Sequence, residues 1–217
     1  MVPATAQRIV ATLLERHGQT YAEEAGITLK DKPSPLYELL VLSTLLSARI
    51  SSHVAVNAAR ELFAAGMRTP QHLREASWQQ RVDALGRGHY RRYDERTATM
   101  LGDGADLLIN EHHSDLRTLH TDRTTEKQLR EALQEFPGIG PTGATIFLRE
   151  VQDVWSLPHP VVDQKVLDGA QRLGLPTDAG TLIALAPDGQ RARLAAACVR
   201  AALDRDIVDD VLAAAAD

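Results

Sequence analysis

Two glycines and a carboxylate are spaced to hold, and act on, a phosphate-bearing ligand. Phe136-Pro137-Gly138-Ile139-Gly140-Pro141-Thr142-Gly143-Ala144 reads as a tight turn that opens a helix. Gly138 and Gly140 can adopt backbone angles closed to other residues and let another backbone come close. Pro141 suits the first position of the next helix, where its missing N–H costs nothing. The amides around Gly138, Ile139 and Gly140 are then left for an anion, backed by the positive end of a helix dipole. About twenty residues later comes Pro160-Val161-Val162-Asp163, whose carboxylate could stand beside whatever the turn holds. Asp163 also precedes Gln164-Lys165-Val166-Leu167, so it is a natural helix cap. An ordinary helix–turn–helix connection and an ordinary cap are the plainer readings of the two features, and capping is compatible with chemistry.

The elements that must position these residues are all helical. Apolar residues recur at three- and four-residue spacing in Ile9-Val10-Leu13-Leu14, Leu39-Leu40-Leu42-Leu45-Leu46 and Val54-Ala58-Leu62-Phe63. Further helices are predicted near 78–85, 94–111, 125–133, 142–151, 164–173, 191–203 and 208–215. No stretch alternates with period two for long enough to make a strand. Turn signals fall at Lys32-Pro33-Ser34-Pro35, Gly66 to Pro70, Gly86 to Gly88, Pro158 to Pro160 and Gly174 to Pro176. The terminal alanines 213–216 are expected to fray.

The turn and the Asp together resemble the helix-hairpin-helix and catalytic Asp of base-excision DNA glycosylases related to endonuclease III. Other segments extend the resemblance over roughly residues 35–173. Tyr37-Glu38-Leu39-Leu40 through Leu46-Ser47-Ala48-Arg49 is similar to the family's first core helix and following turn, and Ser52-His53-Val54 to its next helix start. Leu85-Gly86-Arg87-Gly88-His89-Tyr90 is similar to a Gly-x-Tyr loop that faces DNA. The resemblance implies an all-α fold of two lobes with a cleft between them. Residues 34–158 would form one lobe, ending in a hairpin at about 125–151, and residues 1–33 with 159–217 the other. It implies double-stranded DNA as partner, with contacts from Pro137, Gly138, Ile139, Gly140, Arg49, Gly88, Tyr90, Arg91 and Lys165. Asp163 would be the catalytic carboxylate, in a pocket that receives an extruded base.

Three departures refine this. Bifunctional members carry a lysine where this chain has Thr142, and a threonine cannot form a Schiff base with the sugar. The expectation is therefore a glycosylase using water, with Thr142 lining the site. Lys165 lies two residues past Asp163 on a different helix face and is a candidate phosphate contact. The iron–sulfur loop is missing: the chain has one cysteine, Cys198, within Ala195-Ala196-Ala197-Cys198-Val199, which reads as helix core. No cofactor is expected, although the hairpin leaves room for a monovalent cation, and no metal site is expected at His112-His113. Third, Arg49 stands where the endonuclease III pattern carries glutamine, and can fill the gap left by a flipped base or remain a solvated loop arginine.

Charge and composition set the limits. The net charge of −5 does not favour DNA, yet Arg87 to Arg96 holds four arginines against two acids. Only two Trp, four Tyr and three Phe are present, few for a pocket specialised in cationic alkylated purines. No apolar run approaches a membrane span and no signal peptide is evident, so a cytoplasmic, nucleoid-associated monomer is expected. Two other classes remain open: a non-catalytic hairpin protein recognising distorted or abasic DNA, and a protein–protein module. An Asp at this position favours the enzyme.

Overall fold

The computed structural model describes residues 4–121, 124–155, 157 and 159–216. The predicted turn residue Pro158, the N-terminal Met1 to Pro3 and Asp217 lie outside the described residues. Within the described residues the chain is helical and has no strand. In order, the helices are α1 (Ala4–His17), α2 (Tyr21–Glu24), α3 (Pro33–Leu46), α4 (Ser52–Ala64), α5 (Pro70–Glu75), α6 (Trp78–Arg87), α7 (Asp94–His112), a 3-10 turn (Leu116–Leu119), α8 (Glu126–Gln134), α9 (Pro141–Val151), α10 (Gln164–Arg172), α11 (Ala179–Ile183), α12 (Arg191–Leu203) and α13 (Arg205–Ala216). Two compact units result: Ala22–Phe147, and the segment through Tyr21 together with everything from Leu148 on.

In the first unit α3 is the axis. Every residue from Leu36 to Leu45 is buried, as an all-round apolar helix must be. The predicted turn at Pro33-Ser34-Pro35 is instead the first turn of α3, where proline removes no intrahelical hydrogen bond. α4 and the 3-10 turn pack on α3, α6 packs on α4 and α7, and α5 on α7. Ser77 and Thr125 open α6 and α8 through reciprocal capping boxes with Gln80 and Gln128, interactions of about 1 kcal/mol each.

In the second unit α12 is the axis, buried along most of its length, with α1, α10, α11 and α13 packed on it. Asp153 starts α12 by accepting from the Arg191 and Ala192 amides at 3.2 and 2.8 Å. Cys198 is helix core, and burial pushes its thiol up to about 12. The terminal alanines are helical through Ala216, with Ala215 buried.

Candidate nucleic-acid interface

The glycine turn joins α8 to α9. Its base is apolar: Phe136 is buried, and the Ile139 amide donates to the Phe136 carbonyl at 3.0 Å. Arg130 stitches the helices by donating to Thr145 Oγ1 at 2.6 Å while paired with Glu126. Gly138 has φ of 90°, and a Cβ there would stand 2.9 Å from Thr44 Cγ2. Gly140 faces open space, with nothing within 4 Å of such an atom. The Gly138 and Gly140 amides donate to no acceptor among the described residues. They, with the first turn of α9, are what an anion can reach. Ile139 is removed from the expected contacts, because its side chain is inside and its N–H is taken by the turn.

Two glycine substitutions separate these roles. Gly138→Ala forces a side chain into the left-handed region and against α3, and should lower stability by roughly 1–2 kcal/mol. Gly140→Ala should stay within about 0.5 kcal/mol of the parent. Urea unfolding of both variants checks this; equal losses would mean that Gly140, too, is structural.

The turn after α3 is tied to the hairpin. Ser47 Oγ donates to the Thr44 carbonyl at 2.7 Å and lies 3.4 Å from the Gly138 carbonyl. Two residues on, Arg49 is exposed. The Arg87–Arg96 segment divides differently from the expectation. Tyr90 is only 1% exposed, its hydroxyl accepts from Thr97 Oγ1, and burial pushes it above the ordinary phenol range. Its side chain is core and offers DNA nothing. Gly88 is buried because α4 passes behind it: a Cβ would be 2.4 Å from Ala58 Cα. Between them His89 is exposed with φ of 64°, a strained conformation for a non-glycine residue. Arg87 pairs with Glu61 at 2.9 Å, and Arg92 lies over the Tyr93 ring. Arg91 is exposed and makes no ion pair among the described residues. His89 and Arg91 are the exposed side chains of this loop with no ion pair or ring contact among the described residues.

Asp163 caps α10, its Oδ1 accepting from the Val166 amide at 3.0 Å. Its Oδ2 accepts from Arg149 Nη1 at 2.5 Å. The Asp163 side chain keeps 24% of its exposure whereas that of Arg149 keeps 5%, so solvent reaches the first and hardly reaches the second. Gln152 fixes the approach to Asp163: its Nε2 donates to the Arg149 carbonyl and its Oε1 accepts from the Val161 amide at 3.1 Å. Thr142, at the second position of α9, and Lys165, on α10, are both exposed.

The fold has relatives among solved structures. An endonuclease III trapped as a covalent intermediate on DNA aligns with 90% of this chain and 82% of its own, at a TM-score of 0.54 and 16% identity. A non-covalent endonuclease III–DNA complex aligns with 88% of this chain and 81% of its own, at 0.53 and 17%. The chain has the endonuclease III fold. A thermostable thymine-DNA glycosylase is similar to the same degree, with a TM-score of 0.53, 14% identity, 90% of this chain and 86% of the other. No protein-family model matches the chain, and no curated protein matches it in sequence.

Within this endonuclease III fold, α8, the glycine turn and α9 make the hairpin. The sequence reading missed Arg149 and Gln152. Their signal was present: Arg149-Glu150-Val151-Gln152 continues the apolar run Ile146-Phe147-Leu148, and all four are buried. Polar side chains inside such a run need partners.

Proposed function

We propose that this protein is a base-excision DNA glycosylase that extrudes a damaged or mispaired base from duplex DNA and hydrolyses its N-glycosidic bond with water. The observation that carries the reading is the carboxylate of Asp163, fixed at a helix cap yet open to solvent, in a fold that supplies a hairpin with free glycine amides. Extrusion is required because the target atoms are shielded inside the duplex. The C1′–N bond breaks with its electron pair leaving on the base, and positive charge develops on the sugar. A fixed carboxylate stabilises that charge without reorganising. Water then adds to C1′ and its proton passes to the departing base, leaving an abasic site and the free base.

The binding roles follow from exposure and charge. Gly138 and Gly140 amides and the α9 N-terminus take a phosphate, and a monovalent cation at the hairpin is part of the same proposal. Arg49, Arg91 and Lys165 are exposed cations for the backbone or the vacated stack. Two of the structures similar in fold are complexes with DNA. Thr142 offers no amine, so the reaction stops at the abasic site. A four-cysteine iron–sulfur cluster does not fit this chain, whose single cysteine is enclosed in α12. We propose a monomer acting on chromosomal DNA in the cytoplasm.

One observation favours recognition without chemistry: both oxygens of Asp163 already accept hydrogen bonds. The experiment that decides is excision on duplexes carrying oxidised pyrimidines, uracil, mismatched adenine, 8-oxoguanine or alkylated purines, each developed with and without hot alkali. Strand breaks that appear only after alkali are expected on at least one lesion. Breaks without alkali would overturn the assignment of Thr142 and direct attention to Lys165. Binding to every duplex without excision of any base would leave a structure-recognising protein.

A further inference from the structure

Arg149 is a cation in an apolar helix. It is 4% exposed, flanked by the buried Leu148, Glu150 and Val151, and Asp163 is its ion-pair partner among the described residues. Its Nε finds no acceptor. Nothing about holding α9 together calls for a guanidinium there, and an apolar residue would fill the same space at less desolvation cost.

The geometry at Asp163 supplies the reason. A helix cap fixes one carboxylate oxygen and leaves the group free to swing about that hydrogen bond. Arg149 takes the second oxygen at 2.5 Å and removes that freedom. The rigidity extends outward, because the Arg149 carbonyl accepts from Gln152, and Gln152 in turn holds the Val161 amide two residues before Asp163. Each oxygen accepts one hydrogen bond from the protein and keeps acceptor capacity, and the side chain retains about a quarter of its exposure.

We infer that Arg149 is a positioning residue, which aims the Asp163 carboxylate at the reacting sugar. This rests on the glycosylase reading. Asp163 then acts as a fixed electrostatic group, and its two existing hydrogen bonds are part of the device. The aim matters because a displacement of about 1 Å at a reacting centre can lower a rate by ~10²-fold.

The test is single-turnover excision with enzyme in excess, on whichever lesion the parent protein cleaves, with affinity for the same duplex measured separately. Arg149→Met should lower the excision rate by roughly 10–100-fold while Kd changes less than about threefold. Arg149→Lys, which keeps a cationic donor, should recover part of the rate. Should Arg149→Met fail to fold, Arg149→Lys carries the test through the same split between a reduced rate and an unchanged Kd. An excision rate equal to the parent's in a folded variant would overturn the inference, as would a rate and an affinity that fall together. Absence of excision by the parent on every lesion is a different result, which removes the glycosylase reading and this role with it.

Discussion

Asp163→Ala should lower the unfolding free energy by about 3–5 kcal/mol, far more than the loss of one helix cap. The cap hydrogen bond to Val166 accounts for only ~1 kcal/mol. The larger part comes from Arg149, whose buried charge loses its partner. Asp163→Asn keeps an acceptor but not the charge, so it should also destabilise while lowering excision by about 10²–10³-fold. A protein that loses both activity and stability invites the conclusion that it merely misfolds. Pairing each change with Arg149→Met separates the two effects. Removing both charges replaces a buried ion pair with an uncharged one, a change that is often neutral for stability. The double variant Arg149→Met/Asp163→Asn should therefore regain most of the lost stability and none of the lost excision. Urea unfolding and single-turnover excision on the parent, Asp163→Ala, Asp163→Asn, Arg149→Met and the double variant read this directly. A loss of no more than about 1 kcal/mol in Asp163→Ala would mean that the ion pair contributes nothing to the native state.

How far the sequence foretold this site depended on whether local chemistry decided the outcome. The turn at Gly138 to Gly140 and the cap at Asp163 are local: glycine freedom, proline at a helix start and an acidic residue before Gln164-Lys165 are enough to place them. The long helices were legible because their apolar spacing repeats. α2, α5, α11 and the 3-10 turn were not, since four to six residues hold too little of a period. Prolines at Pro33 and Pro35 read as a turn because the same residue type both ends helices and opens them. Tyr90 misled for another reason. Four arginines around it suggest a surface, but the buried Gly88 and left-handed His89 turn the chain so that the ring packs inward beside Thr97. The Arg149–Asp163 pair joins residues fourteen apart, one in α9 and the other capping α10, and no spacing rule reaches that far. What could be seen was a charge stranded in an apolar run.

The same helix that Asp163 caps meets α12 through a glycine, and there the second large effect is expected. Gly169 lies mid-helix, where alanine alone would gain roughly 1 kcal/mol of helix propensity. Packing reverses the sign. A Cβ at Gly169 would stand 1.8 Å from the Cys198 carbonyl oxygen, 2.6 Å from its carbon and 3.1 Å from the Ala202 amide nitrogen. These are backbone atoms of a helix buried along most of its length, so no side chain can rotate to make room. The two helices must move apart, and overpacking of a rigid core costs ~1–3 kcal/mol or more. Gly169→Ala should therefore destabilise by about 3 kcal/mol, net of the propensity gain. Because α10 starts at the residue that Asp163 caps, the same displacement moves the carboxylate relative to Arg149. In the fraction that stays folded, excision should fall by a further factor at an unchanged duplex affinity, the signature given above for Arg149→Met. A Gly169→Ala protein as stable as its parent would show that α10 and α12 are not in close contact. Normal stability lost but excision retained in the folded fraction would show that α10 can shift without disturbing Asp163.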